Sequence, residues 1–279
     1  VPVLQRAIGT VQAFQSVVVR ARVDGTLDKV VFTEGQQVKP GDVLAQLDPR
    51  PYQAILDQAL ARKASNEAVV ANARSDLARY AELAASQIAS RQKLEQMRAG
   101  VAQAEAAVRG DDATIAAAQL NLTFTRITSP IEGRVGLRQV DPGNLIRVAD
   151  PAATGIVTIA QIHPISLIFT LPQDMLPRVQ AAMRRGKLPV QAYSSDDRLK
   201  LSEGELLTLD SSIDATTGTI KLKAVFANMD DNLWPGQFVN VRMLLDVRRN
   251  VLTLPTGAVQ RGPDSLYVYV VKPDETAAL

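Results

Sequence analysis

The stretch from Pro51 to Leu122 constrains what this chain can fold into more than any other part of the sequence. It runs for roughly 70 residues without a further proline and is rich in Ala, Gln, Arg, Leu and Glu, a composition that favours helix throughout. Leu56, Ala59, Val70, Ala73, Leu77, Tyr80 and Ala84 recur at alternating steps of three and four, and so do Leu94, Met97, Val101, Ala104, Val108, Ile115, Ala118 and Leu122. A sustained repeat of about 3.5 residues is a coiled-coil seam. The sequence therefore predicts a helical hairpin over residues 51–122, with Ser86-Gln87-Ile88-Ala89 as the turn and Ser90 as the N-cap of the second helix. Folding the stretch about Gln87 sets Leu77 against Met97, Val70 against Ala104 and Ala59 against Ile115. It also brings Lys63 opposite Asp111, the two charges that interrupt the seams. A charged pair there would offset part of its own cost and pin the register; the alternative, which sequence leaves open, is that both side chains snorkel to solvent. Each arm would be ~50 Å long at 1.5 Å per residue, far more than a compact core requires.

With 279 residues, 46% of them hydrophobic, the chain can hold two or more domains with their own cores. A formal charge of +2 gives no electrostatic case for nucleic acid, and 4% aromatic residues weaken any base-stacking reading. No apolar run approaches the ~20 residues of a membrane helix. The first residues show no signal-peptide pattern and read as a strand, as in a mature or trimmed chain. Without cysteine there is no disulfide, no thiolate metal site and no lipid-bearing N-terminal cysteine in this piece.

On either side of the helical stretch the pattern is β. Val1 to Val23 reads as extended, and Val19 to Asp48 holds short strands between glycine turns, with Gly25, Gly35 and Gly41 supplying the positive φ. After the helices, Ile127 to Val135 echoes the Val23-Asp24-Gly25 strand, and Val140-Asp141-Pro142-Gly143-Asn144-Leu145 echoes Lys39-Pro40-Gly41-Asp42-Val43-Leu44. Two half-motifs, with Gly133 and Gly143 matching the glycines of the first, point to one sandwich with the hairpin inserted between its halves. From Pro164 to Val247 a second β domain is expected. It has strands at Ile165–Leu171, Val190–Tyr193, Glu205–Leu209, Thr219–Phe226 and Gln237–Leu245, and a helix from Gln173 to Arg185 with Leu176, Val179 and Met183 on one side. Val251 to Lys272 adds two or three strands, including Leu266 to Val271.

These paired halves resemble a biotinyl/lipoyl carrier domain cut in two. The whole chain resembles the periplasmic adaptors, or membrane fusion proteins, of resistance-nodulation-division (RND) efflux pumps. The resemblance is carried by Thr128-Ser129-Pro130-Ile131-Glu132-Gly133-Arg134-Val135-Gly136, by Ile213-Asp214-Ala215-Thr216-Thr217-Gly218-Thr219-Ile220 and by Trp234-Pro235-Gly236-Gln237-Phe238-Val239. Asp76-Leu77-Ala78-Arg79-Tyr80 and Leu201-Ser202-Glu203-Gly204 are most similar to adaptors of MdtABC-type pumps. The resemblance implies an elongated, mainly β, multi-domain chain: a lipoyl-like sandwich at 17–50 and 123–162, a hairpin at 51–122, a β-barrel at 5–16 and 163–247, and part of a membrane-proximal domain at 1–4 and 248–279. It implies a protein at the periplasmic side of the inner membrane that joins a proton-driven transporter to an outer-membrane channel of the TolC type. Copies would pack into a ring, by resemblance a hexamer. Arg79, Leu83 and Ser90 match the family's tip signature for docking the channel, and the first two share a helix face.

The residues give no competing chemistry. A carrier domain needs a lysine at its central turn; here the turn reads Leu47-Asp48-Pro49-Arg50, and Lys29 lies within a strand. His163 is the only histidine and has no Ser or Asp arranged to make a triad, and one histidine without cysteine makes no typical transition-metal site. Asp24, Glu34, Asp48 and Glu132 are not paired as acid and base. The expectation is a structural adaptor that is no enzyme and carries no cofactor. The readings set against it are an adaptor of an ABC-type exporter or type I secretion system, and, more remotely, a biotin or lipoate carrier subunit.

Overall fold

A computed structural model describes all residues except 87, 150–154, 249–250, 264, 272, 274 and 279. The chain is mainly β with few helices and divides into two compact units, residues 13–164 and residues 1–12 with 165–279. It opens in β1 (Pro2–Ala13), which belongs to the second of these.

The unit of residues 13–164 is a sandwich of two four-stranded sheets, built from β2 (Ser16–Val19), β3 (Gly25–Val30), β4 (Gln37–Val38) and β5 (Val43–Leu47) before two helices, and β6 (Arg126–Thr128), β7 (Gly133–Val135), β8 (Leu145–Ile146) and β9 (Val157–Ala160) after them. One sheet has the order β2-β9-β7-β4 and the other β6-β5-β3-β8, so each is woven from both halves of the sequence. Leu27, Leu44, Leu47, Val157 and Ile159 are fully buried between them. The halves repeat each other in detail. Gly41 and Gly143 adopt φ of 92° and 94°, a region that glycine enters without steric cost. Behind each, the next residue's N–H closes the turn, Asp42 onto the Lys39 carbonyl and Asn144 onto that of Asp141. Each glycine also ties its turn to the other half, Gly41 N–H to Ser129 O and Gly143 N–H to Leu27 O. Gly25 opens β3, and Gly35, in the loop before β4, donates to Val135 O. Gly133 differs from the turn residue expected: it is the first residue of β7, and a Cβ there would lie 2.7 Å from the Ala160 carbonyl oxygen, so close strand packing rather than turn geometry requires it.

β5 and β6 are neighbours, with Ala45 opposite Ile127 and Leu47 N–H bonded to Thr125 O. The two long helices therefore stand where a hairpin loop would join adjacent strands. These are α1 (Arg50–Ala85) and α2 (Arg91–Phe124). They pair antiparallel: Lys63 Nζ lies 2.7 Å from Asp112, and Arg74 bonds Glu105 at 2.7 Å. Leu56, Ala59, Ile115 and Ala118 form a buried cluster, and Val70 and Val101 are buried further along.

The other unit is a closed six-stranded barrel in the order β1-β10-β13-β12-β11-β14, where β10 is Ile165–Pro172, β11 Pro189–Tyr193, β12 Lys200–Asp214, β13 Thr219–Phe226 and β14 Phe238–Val247. Alternating residues fill it, among them Val11, Leu167, Phe169, Val190, Leu222, Phe226, Val241 and Met243. A 3-10 turn at Gln173–Met175 leads into α3 (Leu176–Arg185), shorter than the helix expected, with Val179 and Ala182 buried. β1 pairs with β14 from Pro2, opposite Val247. β12 runs well beyond the predicted Glu205–Leu209. Near the C-terminus the predicted Leu266–Val271 strand is two short ones, Leu266–Tyr267 paired with Gln260–Arg261 and Val270–Val271 paired with Ala277–Ala278.

Candidate functional site

The place where α1 gives way to α2 is built from local rules. α1 ends with the Ser86 N–H on the Glu82 carbonyl at 3.1 Å, and the carbonyl of Leu83 accepts both Ile88 N–H at 2.9 Å and Ala89 N–H at 3.2 Å. These bonds satisfy acceptors a helix end leaves open. Ser90 turns the chain extended at ψ 147°, and its Oγ accepts from Lys93 N–H at 3.3 Å, the capping geometry that starts a helix. The Lys93 ammonium sits 5.7 Å from the centre of the Tyr80 ring, tying the second helix back to the first. Gln87, the residue about which the sequence was folded, lies outside the described residues.

Of the predicted tip residues, Arg79 is exposed, with its guanidinium 3.3 Å from Asp76 one turn earlier; Leu83 is half-buried; Ser90 is exposed and occupied as a cap. Such an i,i+3 surface pair is weak and leaves the guanidinium free to exchange partners. The most exposed large apolar side chain here is Ile88, at 74%. Sequence reasoning placed it in the turn without assigning it a role, although an isoleucine in a solvent-facing turn was itself the signal. An exposed apolar residue can bury against a partner helix, and an exposed guanidinium can bond that helix's carbonyls.

Lower in the seam the predicted charged pair is exchanged for neighbouring partners. Lys63 pairs with Asp112 at 2.7 Å and with Glu67 at 3.6 Å, and the carboxylate neighbours hold its ammonium pKa above the usual lysine value. Asp111, only 4% exposed, accepts instead from Asn66 Nδ2 at 2.5 Å and lies 3.2 Å from Arg62 Nε. The physical reason is reach. Lys63 extends past the seam to the flanking carboxylate, whereas the short, buried Asp111 needs a partner directly across from it. Asn66 and Arg62 were missed, yet Asn66 follows Lys63 by three residues and so falls on the same seam alternation.

The position where a carrier domain would hold its lysine is occupied by an ion pair. Arg50 Nη2 lies 2.7 Å from Asp48 and its backbone N–H also bonds that carboxylate, which together lower the Asp48 pKa to about 2. Lys29 sits inside β3, opposite Gln46. His163 Nδ1 is 3.4 Å from Gln37 Nε2, a contact to β4. Among the described residues no three His, Asp or Glu side chains gather as a metal site, and no helix is long and apolar enough to cross a membrane.

The family model for the RND MFP barrel-sandwich hybrid domain matches residues 15–160, and that for the RND MFP beta-barrel domain matches residues 164–247. The chain is 50% identical to the multidrug resistance protein MdtA of Cronobacter turicensis over 275 residues, 98% of this chain and 66% of the relative. It is 50% identical to MdtA of Escherichia coli over 272 residues, 97% of this chain and 65% of the relative. It thus spans just under two thirds of the length of these relatives. Among solved structures, a MacA-MexA chimeric protein containing the Pseudomonas aeruginosa MexA alpha-hairpin domain aligns with TM-score 0.65 at 25% identity, covering 91% of this chain and 85% of that one. The membrane fusion protein Spr0693 of Streptococcus pneumoniae aligns with TM-score 0.67 at 19% identity over 88% of this chain and 99% of that one, a likeness of fold.

Proposed function

The chain belongs to the membrane fusion proteins of RND pumps, and from that premise we propose that it is the periplasmic adaptor of a tripartite multidrug efflux pump. It links an inner-membrane, proton-driven RND transporter to an outer-membrane channel of the TolC type, and it works as a structural bridge without catalysis. The observation that carries this reading is the insertion of two helices of 36 and 34 residues between adjacent strands of one sandwich, ending in a tip that presents Ile88 and Arg79 to solvent. A 34-residue helix is ~50 Å long, a length suited to reach, and the similarity to MdtA proteins supports drug export as the purpose of that reach.

In this reading the helix pair is an antiparallel coiled-coil hairpin whose tip, with Arg79, Leu83 and Ser90, docks the channel. The sandwich is the lipoyl-like domain, and copies packed side by side form a ring, a hexamer, around the conduit. The barrel and the terminal segment from residue 248, part of a membrane-proximal domain, face the transporter, which places the protein in the periplasm against the inner membrane.

The test is affinity purification of the full-length protein from cross-linked cells. An RND transporter and an outer-membrane channel should both co-purify, and Arg79→Asp should lose the channel while keeping the transporter. Recovery of the channel undiminished with Arg79→Asp, or of an ATP-driven exporter in place of the RND transporter, would overturn the assignment.

A further inference from the structure

One edge of the sandwich carries a groove that combines apolar and cationic side chains. β2 and β6 are the outer strands of their respective sheets, each hydrogen-bonded to a single neighbour. Between them, where the last turn of α2 rejoins the sandwich, lies a groove of about 470 Å³. Its apolar lining includes Val19 and Ile127, each 5% exposed, and the half-buried Phe124. Three exposed arginines, Arg20, Arg22 and Arg126, also line it. The Arg22 guanidinium stands 5.2 Å from the centre of the Phe124 ring, which fixes one cation beside the apolar wall. Among the described residues none of these three arginines, which share one groove, has a carboxylate within ion-pair distance.

We propose that this groove binds an anionic amphiphile, a carboxylate or phosphate headgroup carried on a hydrocarbon chain. Three like charges gathered without a counter-ion repel one another, and a bound anion relieves that repulsion. The planar guanidinium fork matches carboxylate and phosphate oxygens two at a time. A bare inorganic anion would leave the apolar lining wet. A hydrocarbon chain covers it, and the groove falls within the range of about 300–1,000 Å³ that holds drug-sized ligands. The site goes beyond the bridging role, and its failure would leave that role untouched.

The experiment is calorimetric titration of the full chain with dodecanoate and with dodecyl phosphate, each below its micelle concentration, beside inorganic phosphate and dodecyl maltoside as controls. Both anionic amphiphiles should bind, more weakly as salt is raised, and the combined variant Arg20→Gln/Arg22→Gln/Arg126→Gln should lower their affinity at least about tenfold. Because all three arginines are exposed, its thermal melt should match that of the parent. Phe124→Ala should narrow the difference in affinity between dodecanoate and octanoate. Unchanged affinity in the arginine variant, dodecyl maltoside binding as tightly as dodecanoate, or inorganic phosphate binding as tightly as dodecyl phosphate would each overturn the proposal.

Discussion

Replacing Asp111 with alanine should weaken the helix pair by about 1–3 kcal/mol, and the structure says where that figure comes from. The Asp111 carboxylate is nearly inaccessible and has two partners, Asn66 and Arg62. The Arg62 side chain is 73% exposed, so on losing its partner it returns to water, and its share is the ~0–1 kcal/mol of a screened surface pair. The half-buried Asn66 amide has no such recourse; losing a hydrogen bond to a charged acceptor costs about 1.5–3 kcal/mol. Alanine's better helix propensity gives back roughly 0.5 kcal/mol. The double replacement Asn66→Leu/Asp111→Leu makes the layer apolar and should return stability to within about 1 kcal/mol of the parent or above it, since a buried polar pair is seldom more stable than a packed hydrophobic one. Two signals separate the units during denaturant unfolding. Far-ultraviolet circular dichroism is dominated by α1 and α2, while Trp234, the only tryptophan, reports on the barrel unit. Asp111→Ala should move the first transition and leave the second in place. A helical transition within about 0.3 kcal/mol of the parent, or a double variant no more stable than the single one, would refute the assignment of Asp111 and Asn66 as a coupled seam layer.

Four further outcomes are expected. Gly100→Ala and Gly110→Ala, where an added Cβ meets nothing within 4 Å, should each stabilise α2 by about 0.5–1 kcal/mol. Gly133→Ala should destabilise the sandwich by about 1–3 kcal/mol through its clash with the Ala160 carbonyl, and thermal melts of the three proteins separate the signs. The Asp48 carboxyl should titrate near pH 2 by NMR and shift upward in Arg50→Ala. Because its folded pKa is depressed, the stability it lends is present above the ordinary carboxylate range and is lost as pH falls through about 2. Arg79→Asp should abolish drug efflux while leaving the melting temperature nearly unchanged, as for other exposed positions; transport that survives the change removes Arg79 from the docking role.

The seam was legible wherever apolar residues set it. Leu56, Ala59, Val70, Val101, Ile115 and Ala118, named from alternation alone, are the apolar residues the two helices bury among the described residues. Its polar layer was not, because a search for apolar periodicity passes over an asparagine at a seam position, and because lysine's length lets it choose between Asp111 and Asp112. The repeated glycine turns were readable at Gly41 and Gly143, where a local φ is demanded. At Gly133 the requirement comes from a carbonyl on β9, a strand 24 residues further along the sequence at its nearest end, and no local pattern reports it. Strand lengths failed for the same reason. β12 extends beyond the expected Glu205–Leu209 because the closed barrel supplies partners on β13 as far as Asp214 for residues whose own sequence does not insist on a strand.

The central claim is that the end of the helix pair meets an outer-membrane channel. A photo-reactive amino acid placed at position 83 or 88 of the full-length protein, and as a control at the exposed position 229 of the barrel unit, tests it in living cells. The account predicts adducts with an outer-membrane channel from 83 and 88 and none from 229. Adducts with that channel from 229 alone, or from none of the three in cells actively exporting drug, would contradict it.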